Sequence, residues 1–169
     1  MSDWENYTCP ICNTSECIPP YGRSSSSVLM VGYAPNKTIL QKGRPFSDAT
    51  GELLRKELGY CGINLYSLRL CYLWQHLENG VQSCKMHGIS VVSKEAAKCK
   101  LVVLIGNDLS KLFCNIDSVS ANGLVLKSAY FSALVMVCIS PDSVFHGGVG
   151  ELRFGIRKFV EKAQEMKLL

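Results

Sequence analysis

The sequence has no apolar run approaching the roughly 20 residues that a membrane-crossing helix requires, so a helical membrane span is excluded. Its first residues, Met1 to Asn6, have neither a basic cluster nor a long apolar stretch. A secretory signal is therefore not expected, and an intracellular location is. Charged residues are scarce at 19%, against 47% hydrophobic, which excludes a disordered chain and allows a full core. There is no internal repeat, so the fold is not built from copies of one unit. An even cysteine count is also missing. Nine cysteines cannot all pair, and disulfides are rare in reducing compartments. Some of these thiols are expected to be metal ligands, and the others ordinary buried residues.

What is present fits one domain of 169 residues. The net charge of +4 is compatible with a polyanionic partner but does not demonstrate one. Val28 to Val31 is a short apolar run between a serine-rich connection and Gly32, and reads as a buried parallel strand. Gly32 to Pro45 holds Pro35, Asn36, Gly43 and Pro45, and is expected to be a loop. Asp48 to Leu58 predicts a helix, with Leu53, Leu54 and Leu58 on one face and Asp48 or Thr50 as its cap. Strands are expected at 63–73, 101–105, 124–127 and 134–139. Helices are expected near 88–98, 109–113 and 151–167. Alternating strands and helices imply an α/β fold of three layers, α/β/α, around a mostly parallel four-stranded sheet. Ligands bind such sheets beyond the carboxyl ends of the strands, which nominates the loops Gly32–Phe46, the stretch after Ser67, and Ser140–Gly148.

Cys9-Pro10-Ile11-Cys12 is a CxxC pair in a loop-like N-terminus, able to grip one metal or cluster without strain. Cys71 and Cys84 follow later in the chain. Four thiolates suit either zinc or an iron–sulfur cluster, and spacing does not choose between them. Cys71 reads equally as a buried strand thiol.

The order of motifs resembles family 4 of the uracil-DNA glycosylase superfamily over nearly the whole chain. After an N-terminal CxxC, that family has a GEAPG-like loop, a GRPF segment with a following helix, a TNVVKC-like strand end, a later cysteine and an HPS loop. Here Gly32-Tyr33-Ala34-Pro35, Gly43-Arg44-Pro45-Phe46, Ser67 to Cys71, Cys84 and Ser140-Pro141-Asp142 stand in those places. The resemblance implies a single domain over 1–169, with residues 1–20 forming a cluster-binding segment. It implies a 4Fe-4S cluster on Cys9, Cys12, Cys71 and Cys84, with zinc as the alternative. DNA is the implied partner, and a monomer is expected.

The resemblance further implies a base pocket lined by Gly32, Tyr33, Ala34, Pro35, Phe46 and Ser67, with Phe46 stacking on a flipped base. The family's chemistry is altered at three positions: Tyr33 replaces an acidic residue, Ser67 the base-reading Asn, and Ser140 the His. Asn36 and Asp142 are the candidates to assist water, and Ser140 stands beside them. Lys37, Arg44, Val144, Phe145 and His146 are expected to meet DNA, with Val144-Phe145 as a wedge into the stack. The implied activity is hydrolysis of the N-glycosidic bond of uracil or another altered base. The alternative is an inactive, cluster-bearing DNA-binding homologue with a regulatory or defence role.

Overall fold

The computed structural model describes residues 7–146 and 148–169, except for the side chains of Phe145 and His146. Strands are β1 (Tyr21–Gly22), β2 (Val28–Gly32), β3 (Arg69–Tyr72), β4 (Leu101–Ile105), β5 (Val125–Ser128) and β6 (Phe131–Cys138). Helices are α1 (Lys37–Lys42), α2 (Ala49–Tyr60), α3 (Gln82–Ala96), α4 (Asn107–Cys114), α5 (Ser118–Ala121) and α6 (Val149–Glu165). Short 3₁₀ turns occupy Leu65–Ser67 and Pro141–His146.

The sheet has six strands in the order β1-β3-β2-β4-β6-β5. The pairs β3–β2, β2–β4 and β4–β6 are parallel, and β1 and β5 close the two edges antiparallel. The expected parallel four-stranded core is therefore present, extended by one antiparallel strand at each edge. Both β2 and β4 are buried along their whole length, as strands covered on two faces must be.

Side chains alternate between two cores. Val28, Met30, Leu101 and Val103 pack under α2 and α6, against Leu54, Leu58, Ile156 and Phe159. Leu29, Val31, Val102 and Leu104 pack under α3 and α4, against Val92, Ala96, Leu109 and Phe113. Each such fully buried side chain contributes about 1.5–3 kcal/mol of transfer free energy.

Three expectations need revision. The stretch expected to be a loop over Gly32–Pro45 contains α1, because Asn36 caps it: its Oδ1 accepts from the Ile39 amide at 2.9 Å. The strand expected over 63–73 is confined to Arg69–Tyr72, since Asn64 caps a 3₁₀ turn through Ser67 instead. The helix of which 88–98 was expected to form part runs from Gln82 and ends at Ala96, short of Lys98 and Lys100.

Candidate functional site

The carboxyl ends of β2 and β3 place Gly32 and Tyr72 side by side. Above them lies a cavity of about 310 Å³ lined by Gly32, Tyr33, Ala34, Asn36, Phe46, Asp48, Tyr72, Asp108, Ser140 and Asp142, among others. That volume is at the lower end of small-ligand pockets, roughly 300–1,000 Å³. The N-terminal end of α2 and the 3₁₀ turn after β6 close its sides.

Phe46 forms the aromatic wall. Its φ of +54° lies in the left-handed region, costly for a bulky residue unless neighbours enforce it. They do: its N–H donates to the Tyr72 hydroxyl oxygen at 2.9 Å, and its carbonyl accepts from the Arg55 guanidinium. The Phe46 and Tyr72 rings lie 5.2 Å apart, tilted by 37°. Gly32 is required beneath them, because a Cβ there would stand 2.6 Å from the Tyr72 ring and 2.9 Å from that of Phe46. Burial holds the Tyr72 phenol protonated far above its usual range.

The polar rim is ordered by capping. Asp48 Oδ1 accepts from the Gly51 amide at the start of α2, while Oδ2 accepts from Thr50 at 2.9 Å and from Asn36 Nδ2 at 2.7 Å. Asn36 and Asp48 thus lock the first turns of α1 and α2 together across the pocket mouth. Asp142 Oδ2 accepts from the Ser140 hydroxyl at 3.1 Å. Asp108, in the first turn of α4, adds another carboxylate that sequence reasoning missed. Its only signal was its position just past the carboxyl end of β4. Tyr33 sends its hydroxyl outward to Glu78 at 2.8 Å, and burial first, then this bond, raises its pKa.

Most pocket residues expected from the sequence do converge: Gly32, Tyr33, Ala34, Asn36, Phe46, Ser140 and Asp142 share one cavity, and Pro35 lies buried between Ala34 and Asn36. Ser67 does not. It precedes β3 and lines a different depression with Arg23, Asn64 and Lys167, at the amino ends of the strands. Its hydroxyl donates to the Asn64 carbonyl at 2.6 Å. Tyr72, five residues later, occupies the pocket floor in its stead. Lys37 and Arg44 are exposed but do not line this cavity: Lys37 lines a separate depression with Glu16 and Gln41, and Arg44 lies 4.8 Å over the Tyr66 ring. Val144 is half-buried against the core under α2 and α6. The side chains of Phe145 and His146 lie outside the described residues.

A second constellation lies on the α3 side of the sheet. The ligand atoms of Cys9, Cys12, His76 and Cys84 all lie within 4.8 Å of one another, so this group can hold a metal. Cys9 Sγ is 4.0 Å from Cys84 Sγ, and Cys12 Sγ is 3.6 Å from His76 Nε2. Burial opposes ionisation of Cys9. The amides of Cys12 and Ile11, with the side chains of Cys12 and His76, outweigh it and bring its pKa down to about 7. Cys84 is pushed up to about 11, chiefly by burial.

Cys71 is not in this group. Its thiol donates to the Tyr72 carbonyl at 3.4 Å inside the sheet, and complete burial raises its pKa to about 12. His76, which sequence reasoning overlooked, stands where Cys71 was expected. The group therefore offers three thiols and one imidazole, where the implied cluster was expected to use four thiols.

The three-layer α/β/α fold thus carries an aromatic-walled, carboxylate-rimmed pocket at the carboxyl edge of its sheet, where such folds bind ligands. The family model described as the uracil DNA glycosylase superfamily matches residues 19–154. The chain therefore belongs to the uracil-DNA glycosylase superfamily, whose members act on DNA. A comparison with curated proteins finds no match. Among the described residues no helix is long and apolar enough to cross a membrane.

Proposed function

We propose that the chain is a DNA glycosylase that hydrolyses the N-glycosidic bond of an altered base flipped into the pocket beside Phe46. The observation that carries this reading is the convergence of the Phe46 ring with Asp48, Asp108 and Asp142 in one cavity at the carboxyl ends of the parallel strands. A flipped base stacks on the aromatic wall. As the glycosidic bond breaks, positive charge develops on the sugar, and nearby carboxylates stabilise it. Asp48 is committed to capping and holds Asn36. Asp142, steadied by Ser140, is the candidate to orient the attacking water and accept its proton. Lys37 and Arg44, both exposed, are the candidates to meet the phosphates.

Among the described residues no Lys, Arg or His side chain lines this cavity. Rim carboxylates and an aromatic face instead suit a base that already carries positive charge, such as an N-alkylated purine. Its departure as a neutral base needs no partner cation. The test is a panel of single- and double-stranded oligonucleotides carrying uracil, deaminated purines or N-alkylated purines, assayed for abasic sites. Abasic product from N-alkylated bases is expected. If none of these lesions yields abasic DNA, the glycosylase reading fails.

A second reading rests on Tyr72, whose ring packs on Phe46 and narrows the pocket floor. It describes a homologue that binds DNA without turnover. Salt-dependent affinity with no base release in the same panel identifies it.

A further inference from the structure

We propose that Cys9, Cys12, His76 and Cys84 form a tetrahedral site for one zinc ion, in place of the iron–sulfur cluster that the resemblance to family 4 implied. Zn–S bonds of 2.3 Å at tetrahedral angles set two sulfurs about 3.8 Å apart, and a sulfur and an imidazole nitrogen about 3.5 Å apart. The Cys9–Cys84 and Cys12–His76 separations are 4.0 Å and 3.6 Å. Three sulfurs and one imidazole are also an established structural zinc set.

The surroundings are built for ligation. His76 Nδ1 lies 2.7 Å from the Leu77 carbonyl. A carbonyl only accepts, so Nδ1 is the donor, and in the neutral imidazole Nε2 then turns its lone pair toward Cys12. Metal-binding histidines are oriented in the same manner. Asn79 Nδ2 donates to Cys84 Sγ at 3.8 Å. After Cys12 the chain turns through Asn13 at φ +59°, and the amides of Asn13 and Cys9 bond to the carbonyls of Cys9 and Thr14 at 2.9 Å each. The CxxC pair thus sits on a closed turn that aims both thiols at one point.

The ion's role is structural. It fastens the segment before β1 to the β3–α3 connection. Apart from the ligands, that segment is tied there by the Ile18 amide on the Gln75 carbonyl at 2.7 Å and by Tyr7 on Gln75 at 2.6 Å.

The experiment is metal and acid-labile sulfide analysis of protein purified anaerobically from cells supplied with both zinc and iron. One zinc per chain, no sulfide and a colourless protein are expected. Iron accompanied by stoichiometric sulfide overturns the proposal. The visible spectrum of the Co²⁺-substituted protein reads the ligands directly. Intense tetrahedral bands are expected, and they shift toward an all-thiolate pattern in His76→Cys. A His76→Cys spectrum identical to that of the parent overturns the assignment of His76. Cys71→Ala is expected to leave zinc content and the Co²⁺ spectrum unchanged. Loss of the metal from folded Cys71→Ala protein contradicts the proposed ligand set.

Discussion

The substitution Gly51→Ala tests the architecture of the pocket most directly. Gly51 occupies the first turn of α2, and a Cβ added there would lie 2.0 Å from the Phe46 carbonyl oxygen and 2.4 Å from its carbon. Carbon–oxygen contacts are ordinarily no closer than about 3.3 Å, so the carbonyl must retreat by roughly 1.3 Å. It is held against retreat. Arg55 grips the carbonyl, Tyr72 binds the Phe46 amide, and the left-handed backbone leaves little room for adjustment. Overpacking of this kind costs about 1–3 kcal/mol, against which alanine's better helix propensity returns about 0.5–1 kcal/mol. A net loss of up to about 2.5 kcal/mol lowers the melting temperature by as much as roughly 10 °C for a chain of this size. Gly59→Ala in the same helix is the internal control, since a Cβ there meets nothing within 4 Å. It is expected to stabilise by about 0.5–1 kcal/mol. The assay is thermal unfolding by circular dichroism at equal metal loading, followed by base release from the responsive lesion. A 1 Å displacement of the stacking ring lowers turnover by about 10²-fold. If Gly51→Ala melts at or above the parent, the claim that Gly51 is required by the Phe46 backbone is refuted.

Tyr72→Phe removes the acceptor of a buried Phe46 N–H and is expected to cost about 1–3 kcal/mol, read from the urea midpoint. Asp142→Asn is expected to lower base release by about 10²–10⁴-fold while shifting stability by less than about 0.5 kcal/mol, because the side chain is exposed. Glu95 is the acid-sensitive group of the fold. Burial disfavours its charge, but Arg69 at 2.8 Å and Lys98 at 3.0 Å outweigh this and hold its pKa below the usual carboxylate value. Its contribution is therefore fully present above about pH 4.3 and is lost as pH falls through the folded value. Glu95→Gln is expected to flatten that acid limb in pH-dependent unfolding.

The metal site shows how far local sequence could be read. Ser67 and Cys71 are four residues apart, matching the spacing between the Asn and Cys of the TNVVKC-like pattern. Tyr72 and His76 have the same spacing five residues later. Both pairs satisfy the pattern, and only the second reaches the carboxyl end of β3, because the strand starts at Arg69 and not near Ile63. The delay comes from Asn64, whose cap diverts the chain into a 3₁₀ turn. A histidine in place of the third cysteine carried no signal for a reading that counted thiols.

The sequence by itself determined the parallel core, since apolar runs at Val28–Val31 and Leu101–Ile105 can be satisfied only by burial on both faces. The aromatic wall was legible only through the resemblance of Gly43-Arg44-Pro45-Phe46 to the family's GRPF segment, and its left-handed conformation is enforced by Tyr72 and Arg55. Tertiary structure alone decided the pocket floor, the third carboxylate at Asp108 and the fourth metal ligand. Those depend on the register of β3 and of β4 against β2, where Gly32 pairs with Tyr72 and Val31 with Leu104, and on the approach of the β3–α3 connection and α3 to the N-terminal segment. Register is set by contacts between residues distant in sequence, and a slip of one residue along a strand turns every side chain to the opposite face.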